Sequence, residues 1–238
     1  QMRNLKAIYF KEMKSYFNSP MAYIFLVIFA VITGYFFTRT FFLFNQSDMR
    51  SLFNIIPLVY LFFIPAITMS LIAREKNLGT MEVMSTLPLR DLDFVVGKFL
   101  AALSLVLAGL LISLVHFFTL TQVGTNIDYG AVFTGYLGIA LAGAVYSAVG
   151  TFASSLTDNQ VVAFIIGIFI VLIFFLMDKM LMFVPAALTG IIQYLSVDYH
   201  LSNISRGVID SRNLIYFASV VGLFLFMTVR MLEIRRWK

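Results

Sequence analysis

The densest run of charge in this chain is Arg74-Glu75-Lys76-Asn77-Leu78-Gly79-Thr80-Met81-Glu82-Val83-Met84-Ser85-Thr86-Leu87-Pro88-Leu89-Arg90-Asp91-Leu92-Asp93, set between two long apolar stretches. Its residue types suit recognition rather than bond making. Glu75 and Glu82 can pair with basic residues of a partner, and Met81 and Met84 offer adaptable apolar contact. Gly79 admits a backbone turn that a side chain hinders, and Leu87-Pro88 fixes the exit. The pattern predicts a short helix over 80–87, with Gly79 before it and Pro88 after it. The alternative is a solvated loop in which Glu75 merely pairs with Arg74 or Lys76.

No other constellation points to catalysis. Gly97-Lys98 is followed by Phe99 and lacks the earlier glycine of a phosphate-cradling loop, so any ATP is expected to be hydrolysed by another chain. The two histidines, His116 and His200, have no second imidazole or paired carboxylate at ligand spacing, so no metal site is expected. None of the 12 acidic residues falls in the middle of an apolar run, which argues against proton-coupled transport and voltage sensing. Without cysteine there are no thiolate metal sites, disulfides or cysteine nucleophiles.

The elements that would position the charged segment follow from composition. Of 238 residues, 61% are hydrophobic and 12% charged, and the mean hydropathy is +0.93, which places the chain in the membrane. Apolar windows near 21–44, 53–73, 94–118, 131–154, 161–177 and 214–232 are each long enough to cross a bilayer core of about 30 Å. The polar segment ahead of the first window is too long and too charged for a signal-peptide leader, so that span is expected to be retained. Six spans put both termini on one side. That side then holds Arg3, Lys6, Lys11, Lys14, Arg74, Lys76, Arg90, Lys98, Arg230, Arg235, Arg236 and Lys238, against Arg39, Arg50, Lys179, Arg206 and Arg212 opposite, twelve to five of the 17 basic residues. This asymmetry predicts cytoplasmic termini, and the net charge of +5 becomes an attraction to anionic inner-leaflet lipid. No basic stripe with interleaved aromatics lies outside the spans, so nucleic acid is not an expected partner.

Residues 3–18 wind into an amphipathic helix expected to lie along the inner membrane surface. Lys11 and Lys14 fall on its polar side, Leu5, Tyr9, Met13, Tyr16 and Phe17 on the other, and Lys6 near the apolar edge, before Ser19-Pro20 turns the chain inward. It is either an anchor or an element that moves with a partner. In the fourth span Gly138, Ala142, Gly143 and Ser147 stand at separations that let another backbone approach, so this helix is expected in the interior. The second, fifth and sixth spans are bulky on most faces, as lipid-facing helices are, a composition that buried ones share. Pro57 and Pro65 should bend the second. Residues 178–212 are expected on the outer face, with Met180–Val184 and Ala186–Leu195 as a hairpin that dips back without crossing.

With these residues in view, the chain resembles the permease subunits of type-2 ABC exporters over nearly its whole length. The resemblance rests on Glu75, Gly79-Thr80, Glu82 and Thr86-Leu87-Pro88, a pattern similar to the family's coupling helix. The opening Lys11-Glu12-Met13-Lys14-Ser15-Tyr16-Phe17-Asn18-Ser19-Pro20 and the closing stretch from Arg206 to Phe217 resemble the gliding-motility (GldF-type) branch. The resemblance implies an all-α integral membrane protein: one transmembrane domain over 1–238, with interfacial helix 3–18, six spans, coupling loop 74–93 and an outer re-entrant hairpin within 178–212. It further implies a second permease copy or a related permease, and a cytoplasmic ABC ATPase carrying ATP and Mg. An extracytoplasmic auxiliary protein is a further expected partner, and this chain itself would bind no cofactor. Two functions fit. One is the permease of an ATP-driven exporter in the bacterial inner membrane. The other is a non-transporting scaffold that relays ATPase-driven motion to an outer partner.

Overall fold

The computed structural model describes residues 2–43, 49–81, 89–125 and 127–236, and every regular element among them is helical. Helix α1 is Met2–Asn18; α2, Pro20–Thr38, continues through a π-helical turn at Arg39–Leu43. Then come α3, Arg50–Thr68; α4, Ser70–Asn77; α5, Asp91–Val123; α6, Tyr129–Leu156; and α7, Gln160–Leu176. A single turn at Leu181–Phe183 leads into α8, Ala186–Leu195, α9, Val197–Ile204, and α10, Ser211–Arg236.

Local chemistry sets the boundaries. Ser19 is extended and Pro20 opens α2, where its missing N–H costs nothing. Asp128 caps α6 by accepting from the Ala131 amide at 3.0 Å, and Asn159 caps α7 by accepting from the Val161 amide at 2.9 Å. Five helices are long and apolar enough to span a bilayer: Pro20–Phe42, Arg50–Asn77, Asp91–Val123, Tyr129–Leu156 and Ser211–Ile234. The remaining expected span, α7, has 17 residues. At 1.5 Å per residue it reaches about 25 Å, the short end of what a bilayer core requires.

Helix α6 is the hub, packing against α3, α5, α7 and α10. Gly138, Ala142, Gly143 and Ser147 are all buried in it. A Cβ added to Gly143 would lie 2.9 Å from Val106 and 3.2 Å from the Tyr60 ring, and one on Gly138 would lie 2.8 Å from Leu201. The small residues therefore admit α3, α5 and α9 rather than lipid.

Of the two readings open for the bulky second span, the buried one holds. Helix α3 is mostly buried, because it packs at once against α2, α6 and α7. Helix α7 buries only the stripe Ala163, Gly167 and Val171, while Phe169 and Ile173 point outward. Helix α3 runs through both Pro57 and Pro65, and Met69, between Thr68 and Ser70, keeps helical φ and ψ with its amide on the Pro65 carbonyl at 2.9 Å. Helix α6 joins the ladder here. Ser154 Oγ donates to the Met69 carbonyl at 2.8 Å and accepts from the amides of Ile72 and Ala73, both at 3.0 Å.

Within residues 178–212, α8 has ten residues and reaches about 15 Å, half a bilayer core, so it is too short to cross. The stretch that reads as its polar remainder holds a further helix, α9, whose Val197, His200, Leu201 and Ile204 are buried, with Leu201 and Ile204 against Gly138 of α6. His200 hydrogen-bonds the Asn213 side chain through Nδ1 at 2.7 Å and the Tyr194 carbonyl through Nε2 at 2.8 Å, and it stacks on Tyr216 with 3.9 Å between ring centres. It is a structural histidine that ties α8 and α9 to the start of α10.

Replacing Gly143 with Leu is expected to abolish a monodisperse preparation, whereas Ile173→Phe, on the outward face of α7, leaves it intact. Size-exclusion chromatography of both variants checks this, and an undisturbed Gly143→Leu protein would show that the α3–α5–α6 contact is not required for assembly.

Candidate functional site

The charged segment begins in α4, and its acidic residue is already engaged within the chain. Glu75 Oε1 accepts from Lys11 Nζ of α1 at 2.7 Å and lies 3.1 Å from Lys98 Nζ of α5. Lys98 Nζ also donates to Glu12 Oε1 at 2.7 Å, and Lys11 lies 3.8 Å from that same oxygen. Two lysines and two glutamates thus alternate across three helices. The reading that Glu75 serves a basic group of a partner, or pairs with Arg74 or Lys76, gives way to this internal arrangement. Lys76 instead donates to the Ser155 carbonyl of α6.

Lys98 is the heart of the cluster, with 1% of its surface exposed and its ammonium 4.8 Å from the centre of the Phe94 ring. An ammonium so buried stays charged only when carboxylates replace its lost water, and both glutamates do so. Lys11 is more exposed. Burial pulls its ammonium down, but the hydrogen bond to Glu75 and the charges of Glu75 and Glu12 outweigh that pull and hold it above the ordinary lysine value.

The cluster fixes α1 against the bundle. Tyr16 is fully buried and donates to the Ile67 carbonyl of α3 at 3.0 Å, while Tyr9 donates to Ser104 Oγ of α5 at 3.0 Å. Burial first, and then the charge of Glu12, push the Tyr16 phenol well above its usual range. The face read as lying on lipid therefore partly faces protein, with Ile8 and Tyr16 buried, whereas Phe10, Lys6 and Lys14 are exposed.

From Asn77 to Thr80 the segment is exposed. Arg74 is exposed, Gly79 takes φ +68, the left-handed conformation that stops α4, and Thr80 Oγ1 returns to the Glu75 carbonyl at 3.2 Å. Residues 80 and 81 are helical. Glu82, Thr86, Leu87 and Pro88 lie outside the described residues. A cavity of about 840 Å³ opens beside the cluster, bounded by α1, α2, α3 and α4, with Phe25, Phe63 and Ile67 at its apolar end.

Sequence reasoning passed over Lys98 and Ser154. Lys98 drew notice as the lysine of a failed phosphate loop and as one basic residue of the terminal side, although a lysine inside an apolar helix must find carboxylates, and Glu12 and Glu75 were in view. Ser154 looked like one more small residue of the fourth span, and nothing local marks it as a cap for another helix. Among the described residues no group of histidines and carboxylates could hold a metal ion. The arrangement joins α4, α1 and α5 through ion pairs.

Lys98→Met is expected to destabilise the protein by about 3–5 kcal/mol, because two carboxylates are left facing each other without their buried cation. Combining it with Glu75→Gln should cost clearly less than the two single losses together. Denaturant titration in detergent reads both quantities, and strictly additive losses would show that the four groups do not act as one network.

Residues 2–201 match the family described as ABC-2 family transporter protein. No curated protein matches the chain. The match covers most of the 238 residues and runs from the interfacial helix through every element of the cluster to α9. This all-helical, multi-pass membrane protein belongs to the ABC-2 transporter family and is the permease component of an ABC transporter.

Proposed function

We propose that the chain is half of an ATP-driven exporter or extruder of the bacterial inner membrane, docking a separate cytoplasmic ATPase through residues 78–90. ATP and Mg belong to that ATPase, and this chain carries no cofactor. A second copy or a related permease completes the transmembrane unit, and an extracytoplasmic auxiliary protein is the expected companion of the outer face. The whole of 1–238 is read as one transmembrane domain. Both termini face the cytoplasm in this reading, in keeping with the twelve-to-five distribution of basic residues. The resemblance of the opening and closing stretches favours the gliding-motility branch.

One observation carries the reading: the four-residue ion cluster sits at the root of the proposed docking segment. A push on residues 78–90 reaches α4 first. Through Glu75 it bears on Lys11 of α1 and Lys98 of α5, so the interfacial helix and the third span move with the ATPase. A solvated loop would need no such cluster behind it. Thr86, Leu87 and Pro88 are assigned to the partner-facing side, and Arg74, Gly79 and Thr80 to the hinge.

Glu82→Lys is expected to abolish capture of the ATPase from detergent extracts while membrane insertion is unchanged. Full capture with normal ATP turnover would remove the docking role from this segment. A reporter fused after Asn203 should read as extracytoplasmic and one fused at Lys238 as cytoplasmic. Matching signals from the two fusions would mean an even number of crossings between them and would sink the proposed orientation.

A further inference from the structure

The cavity beside the ion cluster has two unlike ends. At the end near the cluster stand Lys11, Glu12, Arg74, Glu75 and Lys98, whose charges leave one positive in excess. Among the described residues no hydrogen bond or ion pair occupies the side chains of Ser15, Ser70, Arg74 or Gln160, all of which line the cavity. Glu75 keeps Oε2 without a donor. Toward the middle of the bundle the lining becomes Phe25, Phe63, Ala66 and Ile67. Ile24, about half exposed, stands on the flank that faces outward from the bundle, so the apolar end communicates with the surrounding bilayer.

A small soluble anion would leave the apolar half uncovered, and a hydrocarbon would leave Arg74, two hydroxyls and an amide without partners. One class of molecule satisfies both ends. We infer that the cavity holds an anionic phospholipid of the phosphatidylglycerol class from the leaflet on the terminal side of the bundle, with its phosphate at Arg74 and an acyl chain against Phe25, Phe63 and Ala66. The single negative charge of the phosphate matches the single positive excess of the lining. The hydroxyls of a glycerol head are donors that Ser15, Gln160 and the free Glu75 oxygen can accept. Held there, the lipid is a resident wedge between α1 and the second span. It sits beside the Glu75 junction, and the inference stands whether or not an ATPase docks at 78–90.

The test uses the purified full chain, delipidated and re-equilibrated with mixed phosphatidylglycerol and phosphatidylcholine, with retained lipid counted by native mass spectrometry. Wild type is expected to keep one phosphatidylglycerol in preference to phosphatidylcholine by about tenfold, the effect of one charge-assisted hydrogen bond. Arg74→Ala should erase that preference, and Ala66→Trp, which fills the apolar end, should remove the bound lipid altogether. Equal retention of the two lipids by wild type, or a preference that survives Arg74→Ala, overturns the assignment. If Ala66→Trp does not fold, Arg74→Ala decides alone, because its side chain is exposed. ATPase capture measured on the same preparations is a separate readout, so failure of the lipid site and failure of the docking segment remain distinguishable.

Discussion

An ammonium group withdrawn from water imposes a condition on everything around it. Lys98 sits near the start of a 33-residue helix, almost wholly enclosed, and its charge is compatible with that place only while Glu12 and Glu75 stay within hydrogen-bond reach. Those two carboxylates come from segments that have no covalent reason to meet, an amphipathic helix before the first span and a short helix after the second. Satisfying one cation therefore fixes the register of three helices at one end of the bundle. Removing any of the four charges costs more than a contact, because it strands the others.

The same end of the molecule contains the junction of α3 and α4. Met69 keeps helical φ and ψ and its amide reaches the Pro65 carbonyl, so the second span runs on into α4, the piece that bears Glu75. Ser154 of α6 takes the place of the next rungs, bonding the Met69 carbonyl and the amides of Ile72 and Ala73. Helix α4 is thus tied to α6 on one side and, through Glu75, to α1 and α5 on the other.

Much of this was legible from residue order. Long apolar windows and the placement of lysine and arginine gave the helical crossings, and small residues in the fourth span marked it as interior, because those signals depend on lipid and on atomic size rather than on tertiary partners. The amphipathic opening helix was visible for the same reason, while its burial against α5 was not, since apolar residues suited to lipid are equally suited to protein. The second span was open to either reading on identical grounds. At the site, Glu75 and Gly79 announced themselves by type, but the intrachain partners of Glu75, Lys11 and Lys98, did not. Pairing over 64 and 23 residues of sequence is set by how helices pack, which no local pattern encodes. The helix α9 hid in a stretch whose polar residues resembled loop, although every third or fourth position was apolar.

Ser154 carries an implication for how this transporter can open. With one oxygen it satisfies two amides and a carbonyl of another helix, in a fully buried position where an unmet backbone group is costly. Separating α3 and α4 from α6 at that level would forfeit all three bonds together. The second and fourth spans are consequently riveted there and travel as one rigid body. Any seam that parted the bundle without breaking these bonds would run past this pair, beside the weakly enclosed first and last spans.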